Sequence, residues 1–138
     1  MINKILCAVA ILLVAGCGSS DIGRVTGKIT IDGAPLQNAS VYFYPEPTGR
    51  PSSGMTDEQG QYDLVYTRGV NGAQIGEHRV EISTAGMSGG TGGYGGDSKE
   101  TVPARYNVKS DLKVAVEGGS NVHDFTLDSS GEIIQNRY

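Results

Sequence analysis

From residue 24 onward, hydrophobic and polar positions alternate. Val25, Gly27, Ile29 and Ile31 fall on one side; Arg24, Thr26, Lys28 and Thr30 fall on the other. That period of two is the mark of a half-buried strand. The pattern returns over residues 39–44 (Ala39, Val41 and Phe43 inward), 61–66 (Tyr62, Leu64 and Tyr66 inward) and 76–84 (His78, Val80 and Ile82 inward; Glu77, Arg79 and Glu81 outward). Residues 54–56 read as a short strand. Leu112, Val114 and Val116 mark another, and 122–127 closes the series with Phe125 and Leu127 inward. Turn chemistry separates the runs: Asp32-Gly33, the proline-rich stretch 45–51, Asp57 to Gly60, and Gly118-Gly119. Pro35 is expected to delay pairing after the first turn. Seven short strands with no helix predict an all-β fold, a seven-stranded Greek-key β-sandwich over residues 24–128. The tail, 129–138, is polar and expected to be loose, with Ile133-Ile134 as a candidate short edge segment.

The N-terminus follows another rule. Lys4 and the α-amino group precede an unbroken apolar run over residues 5–15. As a helix such a run is about 16 Å long, too short for a bilayer core that needs about 20 residues, so it reads as a signal-peptide core. It ends in Val14-Ala15-Gly16-Cys17, which resembles the bacterial lipobox: an aliphatic residue, two small residues, then cysteine. The resemblance implies cleavage before Cys17, a diacylglycerol thioether on its sulfur and acylation of the new amine, by palmitate or a similar chain. Residues 1–16 are then the lipoprotein signal peptide and 17–23 the lipidated cysteine with its tether. Two or three acyl chains anchor a protein stably. Gly18, in place of aspartate after the cysteine, favours the outer membrane by analogy with the common sorting rule.

Composition narrows the partners. The formal charge is −4, and loss of Lys4 leaves ten basic against fifteen acidic residues. Phosphate contacts need Lys and Arg, so nucleic acid is not expected as a partner. Nor is a polybasic grip on anionic lipid. Cys7 leaves with the leader, so no internal disulfide is expected, and Cys17 is free for lipid.

Several motifs then fall into place together. Val25-x-Gly27-x-Ile29-x-Ile31-Asp32-Gly33-x-Pro35-Leu36, followed by Ala39-x-Val41-x-Phe43, resembles the opening of carboxypeptidase regulatory-like domains, which are transthyretin-like (prealbumin-like) sandwiches. Thr56-Asp57-x-x-Gly60-x-Tyr62-x-Leu64 resembles their next hairpin, and Gly76-Glu77-His78-Arg79-Val80-Glu81-Ile82 the strand after it. Val102-Pro103-Ala104-Arg105-Tyr106-Asn107 and Asn121-Val122-His123-Asp124-Phe125-Thr126-Leu127 resemble the ending of short bacterial lipoproteins built on this module. The resemblance implies a non-catalytic module for surface binding, adhesion or structural assembly in the cell envelope, held by lipid at Cys17. Its partner would be an envelope protein or a polysaccharide. Alternatives are a periplasmic carrier of a small ligand, or an accessory domain or enzyme acting on an envelope polymer.

Candidate chemistry is sparse. Gly86-Met87-Ser88-Gly89-Gly90 fits the nucleophile-elbow pattern and Gly90-Thr91-Gly92-Gly93-Tyr94-Gly95 the dinucleotide pattern. Both need a following helix, which the sequence does not offer, so both are read as glycine density in a long mobile loop. His78 and His123 share the inward phase, but no third ligand has a telling spacing, and no metal is expected. Asp57-Glu58 lacks the alternation of a calcium loop and reads as a solvated turn. No cofactor and no catalytic residue is expected. Tyr42 and Tyr44 face outward on one strand, with Val65 also outward, and form a candidate binding face. Tyr94 is a further candidate contact because it is the large side chain of the glycine-rich stretch.

Overall fold

A computed structural model describes residues 21–85 and 99–135. The signal segment, Cys17 and the whole glycine-rich stretch 86–96, with Ser88 and Tyr94, lie outside the described residues. The described chain is an all-β sandwich of two sheets.

The first sheet is built around β1 (Ile22–Ile31). One edge of β1 pairs antiparallel with β8 (Ala73–Gln74), β5 (Gln61–Asp63) and β2 (Ala34–Pro35). The other pairs parallel with β11 (Ser120–Val122) and β12 (Phe125–Leu127). The second sheet runs in the order β10 (Lys113–Val116), β9 (Gly76–Ser83), β3 (Ser40–Pro45), β4 (Ser52–Met55), β6 (Val65–Thr67), β7 (Val70–Asn71).

All seven expected segments are strands, and two are divided for physical reasons. The 61–66 run changes sheets at Leu64. Gln61–Asp63 pairs with β1, Val65 pairs with Ser53 of β4, and the Leu64 N–H donates to the Val25 carbonyl at the corner. The 122–127 run keeps one register along β1 but breaks at His123-Asp124. There the Asp124 carboxylate, in place of a main-chain carbonyl, accepts the Lys28 N–H at 2.8 Å.

Three expectations are corrected. Asp32 (φ 51°) and Gly33 (φ 82°) both have positive φ, the pattern of a tight hairpin turn. The chain therefore folds straight back, and Ala34–Pro35 pairs with Thr30–Ile31 despite the proline. The tail is tied through residue 135. The Ala104 N–H donates to the Glu132 carbonyl, and the Gln135 amide both accepts the Glu100 N–H and donates to the Glu100 carbonyl. Ile133-Ile134 adds no strand.

The core matches the inward phase. Val25, Ile29, Ala39, Val41, Phe43, Leu64, Val80 and Ile82 are fully buried. Phe43 sits at its centre, with the rings of Tyr62, Phe125, His78 and His123 at centroid distances of 5.8–6.5 Å. Aromatic pairs at these separations add to the gain from burial alone.

Candidate functional site

The outer face of the second sheet carries Tyr42 and Tyr44. Their neighbours Val41 and Phe43 point inward, so the pleat turns both tyrosines outward. Both are half-buried, their ring centroids are 6.1 Å apart, and the rings are tilted by 30°. Register places Arg79 opposite Tyr44 and Glu81 opposite Tyr42 on β9. The Arg79 guanidinium lies over the Tyr44 ring, 4.9 Å from its centroid, and also bridges to Glu81. Burial, with the nearby Glu81 carboxylate, pushes the Tyr44 phenol up to about 12. Ser53 faces Tyr42 from β4, and beyond it Val65 is exposed, as expected. The result is a flat aromatic platform with one charged pair and a hydroxyl rim. It offers ring faces and hydrogen-bonding groups but no nucleophile paired with a base.

The first sheet's outer face holds an open groove of about 570 Å³, lined by Thr26, Lys28, Gln61, Asp63 and Asp124 among others. Its acidic residues each have a structural partner, although Asp63 Oδ1 is buried without one. Asp63 bridges to Arg24 at 2.8 Å. Asp124 accepts from the Lys28 main chain, and Asp57 accepts the N–H groups of Gln59 and Gln61. Asp57-Glu58 is thus a turn, and Gly60 adopts the expected positive φ (76°).

The two histidines pack on Phe43. His78 is almost fully buried, and its Nδ1 lies 3.1 Å from the Gly76 carbonyl. Burial pushes its pKa below the ordinary range. His123 is half-buried, with Nε2 3.1 Å from the Ala115 carbonyl.

Sequence reasoning missed one polar centre. Glu100 is only 5% exposed. Its carboxylate accepts from the Ser83 and Thr84 hydroxyls and from the main-chain N–H groups of Thr84, Thr101 and Val102. Beside it, buried Asn107 donates to the carbonyls of Ile82, Val102 and Pro103. The motif Val102 to Asn107 therefore plugs the end of the sandwich where β9 finishes. Its single 3₁₀ turn, Ala104–Tyr106, follows Pro103, which cannot extend a strand ladder. A buried carboxylate satisfied by neighbouring main chain is an anchor for that chain. No pattern of spacing would have revealed it.

No family model matches the sequence, and no curated protein matches it. Among solved structures, the chain is similar to a DUF3823 family protein from Parabacteroides merdae ATCC 43184, with TM-score 0.39 and 13% identity. The likeness covers 77% of this chain but 44% of that one, so the chain spans less than half the length of that structure.

Proposed function

We propose that this protein is a lipid-anchored, non-catalytic module of a bacterial cell envelope, built on a carboxypeptidase regulatory-like sandwich, that holds an extended envelope partner against its tyrosine face. The observation that carries the reading is the division of aromatic side chains. Phe43, Tyr62 and Phe125 fill the space between the sheets, while Tyr42 and Tyr44 form a platform outside it. The space between the sheets is taken by these rings, which leaves the outer faces for a partner. A flat face bearing tyrosine, serine and an Arg–Glu pair suits a polymer laid across it, since aromatic faces with polar rims bind sugars and peptides alike. The lipobox at Cys17 supplies the anchor and the export route.

The test has two parts. Intact mass and detergent-phase partition are compared for the native protein and Cys17→Ser; loss of residues 1–16 and a gain in mass from acyl chains are expected only in the native chain. Retention on isolated envelope fractions is then compared for native protein and Tyr42→Ala. Weaker retention with an unchanged melting temperature is expected. Equal retention would remove the tyrosine face from the proposal.

A further inference from the structure

The start of β1 fixes which end of the sandwich meets the anchor. The Asp21 carbonyl accepts the Ile75 N–H at 2.9 Å, and Ile22 and Gly23 pair with Gln74 and Ala73. The chain is thus part of the fold from Asp21. Only residues 18–20 separate it from Cys17. Four fully extended residue steps, Cys17 to Asp21, reach at most about 14 Å. A headgroup layer is roughly 5–8 Å deep on each side of the hydrocarbon core. With Cys17 thioether-linked to diacylglycerol, Asp21 cannot stand clear of the headgroups by more than about 6–9 Å.

That end of the molecule is not purely polar. Ile75 is 47% exposed, and its terminal methyl lies across Gly118, where a Cβ would sit 3.7 Å from it. Val70, at the start of β7, is 40% exposed and borders the same end, since β4, β6 and β7 alternate in direction beside β3. Asp21, Glu77 and Glu117 are exposed on the segments that meet at this end, as are Arg68 in the adjoining turn and Arg50 on the loop whose Gly49 packs on Gln74. This ring of mixed charge has no basic excess to grip an anionic surface. It is compatible with zwitterionic headgroups.

We infer that Ile75, with the β7–β9 connections around it, rests on the lipid surface, so that the sandwich stands on end. This deepens the proposal above and rests on lipid at Cys17. β1 spans ten residues, and at about 3.3 Å per residue its far end lies about 30 Å further from the bilayer. That far end carries the Asp32-Gly33 turn and the Glu100 anchor. The Tyr42/Tyr44 face then runs along the membrane normal, open to a partner from the side.

The chain contains no tryptophan, so one introduced indole reports on its own position. Three variants of the mature lipidated protein are reconstituted in phosphatidylcholine vesicles with brominated acyl chains: Ile75→Trp, Val122→Trp on the outer face of the first sheet, and Glu58→Trp at the far turn. All three positions are solvent-exposed, so the fold tolerates the ring; melting curves confirm this. The expected result is quenched, blue-shifted emission from Ile75→Trp, with unquenched emission from the other two. Quenching at Val122 in place of Ile75, or at none of the three while the protein floats with the vesicles, overturns the end-on seating and leaves the anchor intact. If intact mass shows an unmodified Cys17 and the protein does not float, the anchor and the seating fall together.

Discussion

The Tyr62 hydroxyl donates to the main-chain carbonyl of His123 at 2.5 Å, and the same carbonyl fills the space where Gly27 has no side chain. A Cβ at Gly27 would lie 1.9 Å from that oxygen. Gly27, Tyr62 and His123 come from β1, β5 and the break between β11 and β12, so one hydrogen bond ties both edges of the first sheet together. It forms where the parallel ladder is interrupted and a carbonyl would otherwise lack a partner.

Two variants separate these effects. Tyr62→Phe removes one hydrogen bond and should lower stability by about 1 kcal/mol. Gly27→Ala drives a methyl group into fixed backbone and should cost more, about 3 kcal/mol, by the rule for overpacked sites. Gly33→Ala is the control: space around it is open, so only its positive φ (82°) opposes the change, and about 1 kcal/mol is expected. Urea unfolding of all three gives the order. A Gly27→Ala chain as stable as Gly33→Ala would show that the His123 carbonyl moves freely.

Alternation was enough to find the inner faces. Val25, Ile29, Val41, Phe43, Val80 and Ile82 were placed inward by a period of two, and all are fully buried. That period reflects the pleat itself, so it needs no knowledge of the partner strand. The Glu100 and Asn107 contacts were not legible, because their partners are set by how distant segments meet. Gln135 reaches Glu100 across thirty-five positions, and Ser83 across seventeen. The tail looked loose for the same reason: it is polar, and nothing in its own sequence names the groups that hold it. The tyrosine face was legible as a direction but not as a pairing. Arg79 over Tyr44 follows from strand register, which turn signals alone did not give.

Glu100 supports a sharp prediction. Glu100→Gln keeps the shape but turns an NH₂ group toward donors, leaving some unsatisfied. The loss should be about 1.5–3 kcal/mol, the range for hydrogen bonds to a charged group, and Glu100→Ala should lose more. Thermal melting measures both. Binding through the tyrosine face should survive Glu100→Gln below the lowered melting temperature, because Glu100 anchors the end of β9 and does not touch Tyr42 or Tyr44. Loss of binding in the folded variant would link the two.

Arg79→Ala should separate binding from stability. The Arg79–Glu81 pair is partly exposed, and pairs of that kind contribute about 0–1 kcal/mol. A small change in melting temperature is expected, with weaker retention on envelope fractions because the charged rim of the platform is gone. A melting temperature lowered by many degrees would instead make Arg79 part of the support of the fold.

His78 makes stability depend on pH in a defined direction. Burial disfavours its charged form, so its pKa in the folded chain lies below the ordinary 6.5. The neighbouring Glu46 opposes this shift, and His123 adds to it. Above the unfolded value both states hold a neutral ring, and the contribution of His78 is fully present. As pH falls below about 6.5 the unfolded chain takes up a proton that the folded chain refuses, and stability drops until the folded pKa is passed. Urea midpoints should therefore be flat from pH 8 to about 7 and decline toward pH 5, where most ordinary carboxylates remain ionised. His78→Phe, which keeps a ring against Phe43, should flatten that decline. A decline that persists unchanged in His78→Phe would assign the pH dependence to other groups and show that the buried imidazole takes up its proton without opening the core.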